Sequence, residues 1–344
     1  MEQTNNIKLP GLLQAIGNTP MIKIESLSKL TGSEIFLKCE NLNPGGSLKD
    51  RPALNMVLEA MKRGDLKPGM TIVEGTAGNT GVGLAMVGRA FGFKVKVVMP
   101  KGMAPEKHNI LRLYGAEVIE TEAVAFSDDR HFFKVGKKLG ESSPDFWWSN
   151  QFDNPDNYLA HYKTTGPEIY KQLEGKIDAF VMAAGSGGAV AGISKFLKEK
   201  NQNIKVIVPD PAGSGIVNFF AKGTWDTDGG CTMAEGVGIG RYQENYSMIK
   251  QDECYTVKDQ FIVSLGMYLR EKEGLVMGMS ALLNVCGALK AAIQMGPGKR
   301  IATLMCDGGD RAVSKLYNPE YLKAAHVDGK ILNDQELIEL FKGL

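Results

Sequence analysis

Three short apolar runs in this chain stop in glycine-rich loops, and that punctuation restricts the fold more than any other feature. Residues 71–74 read as a buried strand and run into Gly75-Thr76-Ala77-Gly78-Asn79-Thr80-Gly81. Residues 179–183 lead into Ala184-Gly185-Ser186-Gly187-Gly188-Ala189. Residues 300–305 end at Cys306-Asp307-Gly308-Gly309-Asp310-Arg311. Helical spacing resumes after the first two loops, over 82–92 and 190–200. Further strands are expected at 21–24, 34–40, 94–99, 117–120, from 146 and at 204–208. Helices are expected at 106–114, 126–140, 160–173, 261–272 and 280–294. Strand, loop, helix, strand at this pace predicts an α/β protein with mostly parallel sheets. Residues 317–344 read as a surface tail ending in a helix at 334–342, and residues 218–241 as an irregular glycine-rich segment.

The 344 residues, 43% of them hydrophobic, suffice for one large or two ordinary domains. A net charge of +1 argues against a nucleic-acid or anionic-membrane surface. Cys39, Cys231, Cys254, Cys286 and Cys306 are odd in number and scattered, with neither disulfide nor zinc spacing, which favours a reducing compartment. No histidine belongs to a metal motif, so no metal is expected. The N-terminus lacks the plan of a signal or transit peptide, and no apolar run reaches a membrane span. These features predict a soluble, cytoplasmic protein.

A fourth loop, Asn43-Pro44-Gly45-Gly46-Ser47-Leu48-Lys49-Asp50-Arg51, precedes a helical pattern that runs to Arg63. Ser47 is the expected N-cap, with Asp50 as its capping-box partner. Lys49 then falls in the first turn, where the helix end is already electropositive. A lysine there is either solvated or chemically consumed; in the second case its amine loses its proton readily and attacks an aldehyde.

In an open parallel sheet, ligands bind outside the carboxyl ends of the strands, where all four loops stand. At 184–189 glycines allow close backbone approach, and a helix begins with free N–H groups, a geometry that suits a phosphate dianion. The spacing is neither a dinucleotide fingerprint nor a P-loop. The loop 75–81 is either a tight turn or an anion site that suits a carboxylate, with Asn79 able to donate to a ring oxygen. A nucleophilic lysine, a carboxylate cradle and a phosphate cradle together describe a phosphorylated aldehyde facing an amino acid, which is pyridoxal phosphate chemistry.

These motifs, with Gln151-Phe152 and Glu235-Gly236-Val237-Gly238-Ile239-Gly240, resemble fold-type II pyridoxal phosphate enzymes of the cysteine synthase and cystathionine β-synthase family. The likeness runs colinearly over residues 10–315. The wording at 73–81, 148–154 and 164–169 is similar to the cysteine synthase-like cysteine desulfhydrases. The resemblance implies a two-domain, tryptophan-synthase-β-like αβα architecture. Residues 44–154 would form a smaller, mobile domain, and residues 1–43 and 155–344 a larger one carrying the phosphate loop. It implies a homodimer.

By the same resemblance, Lys49 is the residue that binds pyridoxal 5'-phosphate covalently and moves the α-proton. Asn79 bonds the phenolic oxygen, and Gly185, Ser186, Gly187, Gly188 and Ala189 hold the phosphate. Thr76, Ala77, Gly78 and Thr80 hold the substrate carboxylate with Gln151. Ala77 stands where the family has serine, and Ala189 where it has threonine. Alignment sets Gly308 at the serine that faces the pyridine nitrogen, which leaves Asp307 either as a replacement partner for that nitrogen or as a turn carboxylate. The implied activity is β-elimination or β-replacement on serine-derived amino acids through an aminoacrylate. The outcome is cysteine synthesis from O-acetylserine with sulfide or another thiol, cysteine breakdown to sulfide, pyruvate and ammonia, or both. Serine/threonine dehydratase, and a non-catalytic regulatory relative that keeps the fold, are the alternatives.

Overall fold

The computed structural model describes residues 7–76, 78–227 and 229–344. The first half of the chain runs β1 (Met21–Lys23), α1 (Glu25–Thr31), β2 (Glu34–Cys39), α2 (Asp50–Arg63), β3 (Thr71–Gly75), α3 (Asn79–Ala90), β4 (Lys94–Pro100), α4 (Pro105–Leu113), β5 (Glu117–Thr121), α5 (Phe132–Gly140) and β6 (Phe146–Trp148). The second runs α6 (Pro155–Lys163), α7 (Thr165–Gln172), β7 (Ala179–Val181), α8 (Gly188–Lys200), β8 (Lys205–Pro211), α9 (Ile216–Lys222), β9 (Glu253–Val257), α10 (Asp259–Glu273), α11 (Met279–Met295), β10 (Arg300–Met305), α12 (Pro319–Ala324) and α13 (Asp334–Lys342).

The strands form two sheets. One has the order β5-β4-β3-β6 and is parallel throughout. The other has the order β1-β2-β10-β7-β8-β9 and is parallel except for β1 against β2. Parallel neighbours need long crossovers, which the intervening helices supply. β10 sits between β2 and β7 with Ala302 opposite Phe36 on one side and Phe180 on the other. α11 packs over β10, β8 and β7 and is buried along most of its length. A helix apolar on all sides belongs inside. No helix among the described residues is long and apolar enough to cross a membrane.

Several expectations need correction. The helix expected at 126–140 begins only at Phe132, because Asp128 closes a turn: its side chain accepts from Arg130 N at 2.8 Å and its carbonyl from His131 N at 3.2 Å. The helix expected at 160–173 breaks at Thr164, whose hydroxyl donates back to the Ala160 carbonyl at 2.6 Å. Restarting at Thr165 leaves Pro167 in a first turn, where its missing N–H costs nothing. Ser47 is not the N-cap of α2: Lys49 holds that position, and the Ser47 hydroxyl accepts from Lys49 N at 3.2 Å. Helix α1 and strand β9 lacked a clear sequence signal, and α9 corrects the start of the segment read as irregular, which is helical through Lys222. The C-terminal segment is not only surface: Leu337 and Phe341 of α13 are buried, and Phe341 meets Phe261 edge to face at 5.4 Å.

Candidate active site

The loops after β2, β3, β7 and β10 converge on one cavity of about 630 Å³. That volume suits a cofactor with a small substrate. Its wall includes Lys49, Thr76, Gly78, Asn79, Thr80 and Gln151 on one side. Gly185, Ser186, Gly187 and Ala189 stand on another. Ala77 lies outside the described residues. Gly188 and Asp307 do not line the cavity.

Lys49 is held by its neighbours. Leu48 N donates to the Cys306 carbonyl at 2.9 Å, and Ser47 bridges Asp307, so the loop is sewn onto the end of β10. The Arg311 guanidinium bonds the Gly45 carbonyl from below. Arg51, two residues on, anchors the helix start: it pairs with both oxygens of Glu40 at 2.7 Å and with Glu168 at 2.7 and 2.8 Å. Lys38 joins Glu168 at 2.7 Å. Burial would raise the Glu168 carboxyl, but bonds and charge from Arg51 and Lys38 outweigh it and hold it at about 2. Lys49 itself is half-buried in the cavity wall, and desolvation by the surrounding protein lowers its pKa against the opposing influence of Cys306 and Asp307. An amine held this way is more readily neutral, hence nucleophilic.

The phosphate-type cradle opens α8. Gly187 has φ +78°, a left-handed conformation that glycine adopts without strain. A Cβ on Gly188 would stand 2.1 Å from Asn157 Oδ1. Asn157 Nδ2 in turn donates to the Gln151 carbonyl at 2.6 Å and to Ser186 Oγ at 3.1 Å, linking this cradle to the opposite wall. Tyr246 OH donates to the Gly185 carbonyl at 2.7 Å.

The second anion-type loop opens α3 with Asn79 as its first residue. Thr80 Oγ1 donates to Gln151 Oε1 at 2.6 Å. Beneath them lies Glu74, fully buried, accepting from Ser149 Oγ at 2.5 Å and Gln151 N at 3.1 Å. Burial pushes its carboxyl up to about 7 against those bonds. The Asn79 amide is occupied at both ends, donating to Asp307 Oδ2 at 2.7 Å and accepting from Arg311.

Sequence reasoning missed Ser280 and Asn284, which line the cavity from the first turns of α11. Two polar residues four apart on an apolar helix share one face, a signal that was available. Asn284 accepts from Ala183 N at 2.7 Å and donates to the Leu304 carbonyl at 3.0 Å, stitching β7 to β10. Cys306, beside Ser280, is held as a thiol: burial pushes its pKa up to about 12. Gly308, aligned to the family's ring-facing serine, is absent from the wall, whereas Ser280 offers a hydroxyl there. Ser280 comes from α11, which reaches the cavity only through the fold.

A half-buried amine that shares one cavity with two helix N-termini defines an α/β site suited to a carbonyl group and its anionic substituents. The chain belongs to the pyridoxal-phosphate dependent enzymes, whose family model matches residues 12–307. It is similar to "Cysteine synthase 1" of Neurospora crassa, 42% identical over 328 residues, covering 93% of this chain and 86% of that protein. "Cysteine synthase 2" of Schizosaccharomyces pombe is 39% identical, covering 96% and 89%. Among solved structures, the O-acetylserine dependent cystathionine beta-synthase from Helicobacter pylori superposes with a TM-score of 0.82 at 35% identity, covering 90% of this chain and 98% of that one. A hydrogen sulfide-producing enzyme from Fusobacterium nucleatum gives 0.80 at 34%, covering 88% and 99%.

The cofactor is therefore pyridoxal 5'-phosphate, and the donor set fits it. The amine suits the aldehyde, the open backbone at 185–189 suits the phosphate dianion, and the glycine positions there leave no room for side chains.

Proposed function

We propose that the chain replaces the β-substituent of serine-derived amino acids, using O-acetylserine and sulfide to make cysteine and acetate. The observation that carries this reading is Lys49, a half-buried amine with a lowered pKa that shares one cavity with the starts of α3 and α8. The cysteine synthases among its relatives support the substrate pair.

Bound pyridoxal phosphate supplies an aldehyde that captures amino groups and a ring that holds the electron pair released at the α-carbon. Lys49 would hold that aldehyde through Nζ while its amine is neutral and, once displaced by the substrate amine, would take the α-proton on the same atom. The N–H groups of Gly185, Ser186, Gly187, Gly188 and Ala189 would hold the phosphate, with the Ser186 hydroxyl to help. Asn79 would bond the ring oxygen, and Ser280, in the same cavity wall, would offer its hydroxyl to the ring nitrogen. Thr76, Ala77, Gly78, Thr80 and Gln151 receive the substrate carboxylate, and Glu74 fixes Gln151 from behind. Asp307 acts as a positioning residue for Asn79, a role its 2.7 Å bond supports over direct contact with the ring nitrogen.

Cysteine breakdown to sulfide, pyruvate and ammonia is the second reading, supported by the hydrogen sulfide-producing neighbour. Incubation with O-acetylserine plus sulfide, and with cysteine alone, separates the two. Cysteine formation should dominate; faster pyruvate release from cysteine transfers the assignment to the second reading. Absence of both products from cofactor-loaded protein overturns both.

Residues 44–154 form the smaller, mobile unit in this proposal, a division supported by the four-stranded sheet lying wholly within residues 71–148. Family resemblance supports a homodimer, which sedimentation would measure. The buried free thiols of Cys39, Cys286 and Cys306 support the cytoplasm as location.

A further inference from the structure

Asp50, the residue after Lys49, is fully buried. Its carboxylate does not cap Ser47 but turns back on the loop, where Oδ2 accepts from Gly45 N at 2.5 Å. The Gly45 carbonyl accepts from the Arg311 guanidinium, which also donates to Asn79 Oδ1. Gly45 is thus held on its N–H by an acidic side chain of α2 and on its carbonyl by a basic one from the loop after β10. The Pro-Gly-Gly turn makes room for both. A Cβ on Gly45 would stand 2.4 Å from Asp50 Oδ1, and one on Gly46, whose φ is +80°, 2.6 Å from Arg311 Nη2.

A buried carboxylate is costly unless bonds and charges offset it. Asp50 Oδ1 has no partner among the described residues, and Arg51 beside it is committed to Glu40 and Glu168. Arg311 and Arg51 attract the carboxylate and Glu40 repels it. Burial pushes its carboxyl up to about 7 against the Gly45 N–H and the two arginines. The bond that Asp50 does make closes residues 45–50 into a ring that contains Lys49. The Lys49 backbone is pinned on its other sides. Leu48 N donates to the Cys306 carbonyl, and α3 packs so closely that a Cβ on Gly83 would stand 2.9 Å from the Lys49 carbonyl oxygen.

We propose that Asp50 is a positioning residue for Lys49: by holding the Gly45 N–H it keeps the loop 43–51 closed, so that the lysine presents Nζ to the cavity in one orientation. This inference rests on the assignment of Lys49 as the residue that carries the cofactor. A displacement of about 1 Å at a reacting atom costs roughly a hundredfold in rate, so one bond that fixes the loop has leverage on the chemistry.

The test uses holoenzyme of wild type, Asp50→Ala, Asp50→Asn and Gly45→Ala. Each is mixed rapidly with L-alanine, an amino acid without a β-leaving group, and the absorbance change as its amine displaces Lys49 is followed. The amplitude gives the affinity for L-alanine, and the time course gives the rate. The rate should fall by about 10- to 100-fold in Asp50→Ala and in Gly45→Ala, which attacks the same bond from its other side, while the affinity stays close to that of wild type. Asp50→Asn keeps an acceptor for Gly45 N–H without a charge and should fall between. In wild type the rate should carry a step as pH rises through 7, where Asp50 ionises and grips the N–H harder, and Asp50→Asn should lack that step. The asparagine and Gly45 variants carry the test where Asp50→Ala does not fold. Rates equal to wild type overturn the proposal, as does a fall of rate and affinity together or a step that survives in Asp50→Asn. Borohydride reduction of the wild-type holoenzyme separates the two levels: a label away from Lys49 sinks the assignment of that lysine, whereas a label on Lys49 with unchanged variant rates sinks the role of Asp50 alone.

Discussion

Asn79 Nδ2 and Asp307 Oδ2, 228 positions apart in the chain, meet at 2.7 Å. The bond ties the start of α3 to the loop after β10, and Arg311 closes it from the other end of the amide. One oxygen of Asp307 is spent on Asn79, and the other is buried without a partner among the described residues. The carboxylate therefore orients the Asn79 amide.

Asp307→Ala should loosen Asn79 and weaken cofactor binding. Loss of one hydrogen bond to a charged group is worth about 1.5–3 kcal/mol, roughly a ten- to hundredfold rise in cofactor Kd. Absorbance titration with pyridoxal phosphate measures it. An unchanged Kd together with unchanged turnover would remove the positioning role.

Lys49→Ala should abolish covalent attachment. Borohydride reduction of loaded wild type, followed by peptide mass mapping, should label Lys49 and nothing else. A label on another lysine would unseat the proposed mechanism.

Gly188→Ala places a Cβ 2.1 Å from Asn157 Oδ1. Asn157 must move, taking with it the bonds to the Gln151 carbonyl and Ser186. Both cofactor affinity and the KM for the amino acid should worsen. A change in the first alone would mean that the two walls are not coupled through Asn157.

Glu74 and Glu168 should respond to pH with opposite sign. The Glu74 carboxyl, raised from 4.5 to about 7, binds its proton more tightly in the folded state. Its contribution is full below pH 4.5 and is lost as pH rises through 7; at about 1.4 kcal/mol per pH unit this is on the order of 3 kcal/mol. Glu168, held at about 2, contributes above pH 4.5 and loses that contribution as pH falls toward 2. Urea unfolding across pH 4–8 should show a downward slope in wild type that flattens in Glu74→Gln. An identical slope in both would rule out Glu74 as its source.

Glu168→Gln should destabilise the fold by about 3–5 kcal/mol at neutral pH, because it removes a charge shared by Arg51 and Lys38 in a largely buried network. Thermal unfolding reads the loss directly. A shift no larger than that of a surface substitution would show that Glu40 alone suffices for Arg51.

Much of this molecule was legible in its sequence. The strands at 34–39, 71–75, 94–100 and 300–305, the glycine loops that end them and the helix bearing Lys49 are set by side-chain period and by turn residues. Those signals are local, so they survive being read along a line. The tail was misjudged because the burial of Leu337 and Phe341 depends on what α10 and α11 place above them. The site followed the same division. Lys49, Asn79 and the loop 185–189 stood in recognisable local contexts. Ser280 in the cavity wall, the carboxylate of Asp307 turned to Asn79, and Arg241 among three phenylalanines are contacts between segments far apart in the chain. Periodicity and turn residues by themselves determined most of the elements and set Lys49 at a helix start, because each depends on neighbours a few residues away. The surroundings of Lys49 were decided by tertiary structure, because only the packing of α11, the loop after β10 and residues 235–241 around one cavity brings those atoms together.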